Sequence, residues 1–167
     1  SLTPLSFIQR TADIFPERIA VIYEDREYSW SETYKRARQL ASALKKKGIT
    51  PGDTVSIMAA NTPEMFEAHF GVPMAGAVLN TINIRLETET VKYILEHSDA
   101  KIILVDTAFS AVVSKATESI KHEILIIDIV DPHGPGGTQI GTMEYETFLE
   151  TGDQNFDWLL PHDEWQA

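Results

Sequence analysis

No cysteine occurs in the 167 residues, which excludes disulfides and thiolate metal sites and fits a reducing compartment. Basic residues are scarce beside acidic ones: 14 Lys and Arg stand against 25 Asp and Glu, a formal net charge of −11. A nucleic-acid binder shows the opposite balance, because neutralising phosphate dominates that affinity, so no nucleic acid is expected as a partner. Long apolar runs are missing as well. "IILV" and "ILII" fall far below the ~20 residues that a membrane helix needs, and no membrane span is expected. No basic segment followed by an apolar one opens the chain, so no secretory signal is visible, and the cytoplasm is the expected location. Neither common nucleotide loop is present. No G-x-G-x-x-G follows the first strands, and the one glycine-rich stretch, "HGPGGT", continues into Gln-Ile-Gly without the lysine a phosphate loop requires.

What is there reads as one core of ordinary globular composition, 43% hydrophobic and 23% charged. "PLSFIQRTADIF" puts Leu5, Ile8, Ala12 and Phe15 on one helical face, and Pro16 ends it. "IAVIYED" and "REYSW" predict a hairpin around Glu24-Asp25-Arg26. "SETYKRARQLASALKKKG" predicts a helix with Ser31 at its N-cap and Tyr34, Ala37, Leu40, Ala41 and Leu44 buried. Lys45, Lys46, Lys47 and Gly48 close it, the lysines meeting the carbonyl end of the dipole.

A rhythm then sets in. Strands "TVSIMAA", "AVLNTI", "KIILVD" and "EILIIDIV", the last of the chain, alternate with helices. The first of these opens at Thr62-Pro63-Glu64, the second buries Val91, Ile94 and Leu95, and the third carries Phe109, Val112, Val113, Ala116 and Ile120 in register. Strands apolar on both sides between such helices predict an α/β fold with a mainly parallel sheet covered on both faces. Residues 1–130 are read as that α/β unit. Residues 131–167 are read as a surface loop, one short helix in "MEYETFLETG" and an irregular tail. Pro73 inside "EMFEAHFGVPMAGA" predicts a bend or break near Gly71-Val72.

Few residues invite chemistry, and no catalytic residue is assigned. The five histidines, His69, His97, His122, His133 and His162, lack metal-ligand spacing, so no metal site is expected. His69 is read as packed in an apolar helix, and His97 as meeting a helix C-terminus. Asp106 and Asp128 sit at strand ends, the edge where open α/β sheets bind ligands, but a phosphoacceptor set does not accompany them and they read as turn and cap residues. Arg85 lies between a strand and a helix. It is the one candidate ligand-binding residue, able to hold a phosphate or carboxylate bidentately or to pair with Glu87, Glu89 or a neighbouring domain.

Four stretches in order, "YSWSETYKRARQLASAL", "GITPGDTVSIMAANTPEM", "MAGAVLNTINIRL" and "YILEHSDAKIILVD", resemble the N-terminal part of the adenylate-forming (AMP-binding) acyl-CoA synthetases. The resemblance runs from about Leu5 to Asp106 and is most similar to the medium-chain and plant-type acyl-activating branch. One departure is Leu86-Glu87-Thr88-Glu89, where the family commonly has Thr-Pro-Glu, which weakens only a helix cap. The resemblance implies a parent enzyme that joins a short or medium carboxylic (fatty) acid to ATP and passes the acyl group from AMP to coenzyme A, with Mg2+. The family's phosphate loop, adenine segment, ribose-binding Asp, hinge and C-terminal lysine are absent from these residues. The chain also opens on Ser1 without Met and closes on "LLPHDEWQA", so both ends read as trimmed. The expectation is an N-terminal fragment, inactive alone, binding none of these cofactors tightly, whose partner is the remainder of its own chain. Self-association through an uncovered apolar patch is the corresponding physical symptom. The alternative is a stand-alone flavodoxin-like binding or signalling domain, marked by a 2-1-3-4-5 strand order with a phosphate or flavin at the switch point.

Overall fold

The computed structural model describes residues 3–158 and Leu160. An N-terminal helix α1 (Pro4–Ile14) leads into a ribbon of two antiparallel strands, β1 (Ile19–Tyr23) and β2 (Arg26–Ser29). Helix α2 (Trp30–Lys46) follows, then strand β3 (Thr54–Met58), α3 (Pro63–Met74), β4 (Val78–Thr81), α4 (Thr88–His97) and β5 (Ala100–Asp106). A 3₁₀ turn at Thr107–Phe109 precedes α5 (Ser110–Thr117), and β6 (Leu125–Ile129), β7 (Met143–Glu144) and α6 (Tyr145–Glu150) complete the order. Five strands form one sheet in the order β4-β3-β5-β6-β7, every pair parallel.

The period-two pattern divides the core. Val55, Ile57, Ile102, Leu104, Ile127 and Ile129 point to one face, where α1, α2, α3 and α6 cover them. Met58, Ile103 and Val105 point to the other, under Val91 and Leu95 of α4 and Val113 and Ala116 of α5. Both faces are therefore buried, as strands apolar on both sides require.

Three local expectations change. Helix α2 starts one turn-position earlier than Ser31: Ser29 Oγ accepts from the Glu32 amide at 3.2 Å, and Glu32 Oε2 accepts from the Ser29 amide at 2.8 Å. This reciprocal capping box satisfies two otherwise orphaned donors, which a serine at position 31 does not. Ser29→Ala is expected to lower stability by about 1 kcal/mol in urea unfolding.

Helix α3 runs through Gly71 and Val72 and ends at Met74, past Pro73. The proline falls in the last turn, and the carbonyl deprived of its donor belongs to His69, which is exposed. Gly71 serves a different need. A Cβ there would meet Leu40 Cδ2 at 2.7 Å and the Ala37 carbonyl oxygen at 2.9 Å, so α2 and α3 approach backbone to backbone.

"EILIIDIV" is not the last strand. Met143 pairs beside Ile127 and Glu144 beside Asp128, and the short helix begins only at Tyr145. The third helix is also shorter than its pattern: Phe109 sits in the 3₁₀ turn and Ile120 beyond Thr117, both still packed on the core.

Candidate functional site

In a parallel sheet the crevice lies outside the C-terminal strand ends, where the connections diverge to opposite sides. Here β3 has β4 on one side and β5 on the other, so the divergence falls between β3 and β5. Thr62 and Glu64 at the start of α3, Asp106 after β5 and Asp131 beyond β6 meet this edge, all four buried.

Each carboxylate already has work. Asp106 accepts from the Ala108 amide at 2.9 Å and caps the 3₁₀ turn, while its burial pushes the carboxyl above the ordinary range. Asp131 accepts from the His133 amide at 3.0 Å and from the Tyr23 hydroxyl at 2.5 Å; that hydrogen bond pushes the phenol up to about 12. Glu64 takes Arg26 Nη1 at 2.7 Å, and the Arg26 guanidinium also lies 5.1 Å from the Tyr23 ring centroid. His133 Nε2 reaches Asp25 at 2.6 Å, so the tip of the β1–β2 ribbon is fastened to the loop after β6. Asp128 is likewise a loop anchor, accepting from the Ile140 and Gly141 amides at 3.1 and 2.8 Å. Both aspartates thus play the turn and cap parts read from their strand-end positions.

A second ionic network binds α2, α3 and α6 together. Arg36 donates through Nε to Glu67 at 2.5 Å and through Nη2 to Glu146 at 2.6 Å, and the Tyr145 hydroxyl donates to Glu67 at 2.9 Å. Glu67 is 2% exposed. Burial pushes its carboxyl up to about 7, against the pull of Arg36 and Tyr145. Because the folded value lies above the ordinary 4.5, the carboxyl's contribution is complete below about 4.5 and lost as pH climbs through about 7. Glu67→Gln is expected to flatten that decline, on the order of 3 kcal/mol across the window, in urea titrations at several pH values.

Two hollows flank α3. A groove of about 680 Å³ runs between α1, β1 and α3, with Ile22, Met65, Phe66 and Phe70 among its walls. A smaller one of about 320 Å³ lies on the other side, walled by Arg26, Glu64, Glu144 and Tyr145. Neither offers a nucleophile beside a base. Among the described residues no three His, Asp or Glu side chains come together in a way that could hold a metal ion.

The sequence candidates scatter. Arg85 stands exposed in the loop after β4; its amide bonds Asn83 Oδ1 at 2.9 Å, and among the described residues it forms no ion pair with Glu87 or Glu89. His69 is exposed rather than packed, its Nδ1 2.8 Å from the Met65 carbonyl, because position 69 faces the groove and not α2. His97 closes α4 and stacks on Tyr93 at 5.5 Å. His162 lies outside the described residues. The "HGPGGT" loop is no open cradle: a Cβ at Gly137 would fall 1.8 Å from the Thr107 carbonyl oxygen, so the loop lies on the end of β5. Sequence reading missed Arg26, Arg36, Glu64 and Glu67. The available signal was two glutamates in the otherwise apolar α3, since buried carboxylates require cationic partners.

The AMP-binding enzyme family model matches residues 8–151. Among similar relatives, a peroxisomal acetate/butyrate–CoA ligase of Arabidopsis thaliana is 46% identical and an acetate–CoA ligase of Humulus lupulus 43% identical, each over 100% of this chain and 32% of its own length. The chain therefore spans about a third of the length of the relatives it matches. Among solved structures, an anthranilate–CoA ligase in complex with anthranoyl-AMP superposes with a TM-score of 0.87 at 21% identity, over 96% of this chain and 30% of that one. A benzoate–CoA ligase from Burkholderia xenovorans superposes with a TM-score of 0.78 at 23% identity, over 92% and 29% respectively. The sheet order is the 2-1-3-4-5 pattern named for the flavodoxin-like alternative, but CoA ligases carry this fold too, so strand order does not separate the two readings. The family match separates them, and the chain belongs to the AMP-binding enzyme family.

Proposed function

We propose that the chain is the N-terminal scaffold segment of an AMP-forming acyl-CoA ligase acting on a short or medium monocarboxylic acid. In the whole enzyme the carboxylate oxygen attacks the α-phosphorus of ATP and pyrophosphate leaves. The thiol of coenzyme A then takes the acyl group and AMP leaves. The observation that carries this reading is the match of the whole chain to acetate and butyrate ligases across a third of their length. In this reading residues 1–130 carry the α/β unit, and 131–167 lead toward the rest of the enzyme, adding β7 and α6 to that unit on the way.

ATP, Mg2+ and coenzyme A belong to the whole enzyme. The packed glycine loop and the occupied carboxylates leave this segment without a nucleotide cradle of its own, so no step is routed through it. Arg85, exposed beyond β4, is proposed as a contact for a phosphate or carboxylate group of a ligand held largely by the remainder.

No helix among the described residues is long and apolar enough to cross a membrane. A cytoplasmic location remains part of the proposal. The Arabidopsis relative carries "peroxisomal" in its name, and imaging of a tagged full-length product distinguishes the two compartments. The decisive assay is acid-dependent ATP–pyrophosphate exchange with acetate and butyrate. The longer gene product is expected to be active and the 167-residue chain inactive. Exchange by the 167-residue chain alone would overturn the scaffold reading, and none by the longer product would overturn the ligase reading.

A further inference from the structure

The β1–β2 ribbon stands apart from the five-stranded sheet and has only two strands. A two-stranded ribbon is marginal in water without a third strand or a packed face. Its inner side is well held: the Trp30 amide donates to the Arg18 carbonyl at 2.9 Å, Arg26 pairs with Glu64, and Tyr23 bonds Asp131.

Its outer side is apolar and open. Ile22 is 70% exposed and Ile19 46%, and Phe7, Ile14 and Phe15 of the preceding segment are exposed as well. These five are half of the ten large hydrophobic side chains exposed among the described residues, all within residues 7–22, so the exposure is concentrated rather than scattered. The 680 Å³ groove continues it, with Ile22 at its wall and the edge-to-face pair Phe66 and Phe70 opposite. The two strands also differ in chemistry. β2 reads "REYS", whereas β1 reads "IAVIY", an apolar edge carrying neither lysine nor proline, the residues that blunt a free strand edge.

We infer that the outer edge of β1 receives a strand from the remaining two-thirds of the ligase, an extended segment with alternating apolar side chains that pairs with residues 19–23 and covers the groove. The occupant follows from three observations together: a main-chain edge of five residues, an apolar groove beside it, and relatives three times as long whose matched third includes this ribbon. A strand satisfies the edge and fills the groove at once, whereas a small apolar ligand would leave the edge unpaired. The inference rests on the ligase reading.

Hydrogen exchange read by mass spectrometry tests it, comparing the longer gene product with the 167-residue chain. Amides of residues 19–23 are expected to exchange at least about tenfold more slowly in the longer product. Ile22→Asp is expected to abolish that protection in the longer product while leaving the Tm of the short chain unchanged within error, since Ile22 is exposed there. Equal exchange in the two forms overturns the inference. So does concentration-dependent dimerisation of the short chain that protects the same amides, which would make a second copy the occupant. Protection without ATP–pyrophosphate exchange leaves the inference standing and removes the ligase reading; exchange activity without protection does the reverse.

Discussion

Arg36→Ala is expected to lower the stability of the folded chain by about 3–5 kcal/mol, a fall in Tm on the order of 10 °C for a protein of this size. The guanidinium is the only cation among the described residues that touches Glu67, reaching it at 2.5 and 3.2 Å. Without it the Glu67 carboxyl keeps one donor, the Tyr145 hydroxyl, in a site that is 2% exposed. An uncompensated buried carboxylate either carries its full desolvation cost or takes up a proton. The loss is therefore expected to be larger at pH 8 than at pH 5, because protonation relieves it only where protons are plentiful. Glu146, half exposed, rehydrates at little cost. Restoring neutrality with the pair Arg36→Met and Glu67→Gln is expected to recover most of the loss. Urea unfolding of the three variants at both pH values checks this, and a loss below 1 kcal/mol for Arg36→Ala would show the network to be dispensable.

Gly71→Val is expected to cost about 3 kcal/mol, while Gly71→Ala costs much less. The two differ in what must move. An alanine Cβ at position 71 meets the end of the Leu40 side chain and the Ala37 carbonyl oxygen inside 3.0 Å, forcing a small separation of α2 and α3. Part of that penalty is offset by about 1 kcal/mol of helix propensity gained over glycine. Valine adds two methyl groups against a carbonyl that belongs to the helix itself and has no rotamer to change. Thermal unfolding of both variants separates the contributions, and a Gly71→Val variant as stable as the parent would mean that the helices are free to slide apart.

The contrast between these two sites shows what was legible in the sequence. Repeating strand and helix periods gave the parallel sheet, because Val55, Ile57, Ile102 and Leu104 write their burial in a local pattern. The 2-residue strand at Met143–Glu144 has too little length to show a period, and it forms because Ile127 and Asp128 offer a waiting edge. The start of α2 was readable in principle, since Ser29 and Glu32 are three apart, but Ser31 competes for the same cap. Arg36 was beyond reach. Its partners lie 31 and 110 positions away, and on a helical wheel it resembles any solvent-facing arginine. The four quoted stretches pointed to the right family because packing residues there recur in fixed order. Those same residues leave the chemistry to other polypeptide.

The strand order also sets a direction in time. β5, β6 and β7 join the sheet on one side of β3 in the same sequence in which they occur along the chain. On a ribosome, the β3–β4 pair is complete first, and each later strand finds its docking edge already formed. Translation at roughly 5–20 residues per second therefore lets this sheet grow outward, one strand at a time, over several seconds. During each pause the newest parallel edge is the sticky one, and the next strand to emerge is its natural cover. Synonymous codons that slow or hurry the stretch between Asp106 and Leu125 would lengthen or shorten the exposure of β5, a kinetic property written in the topology rather than in any single side chain.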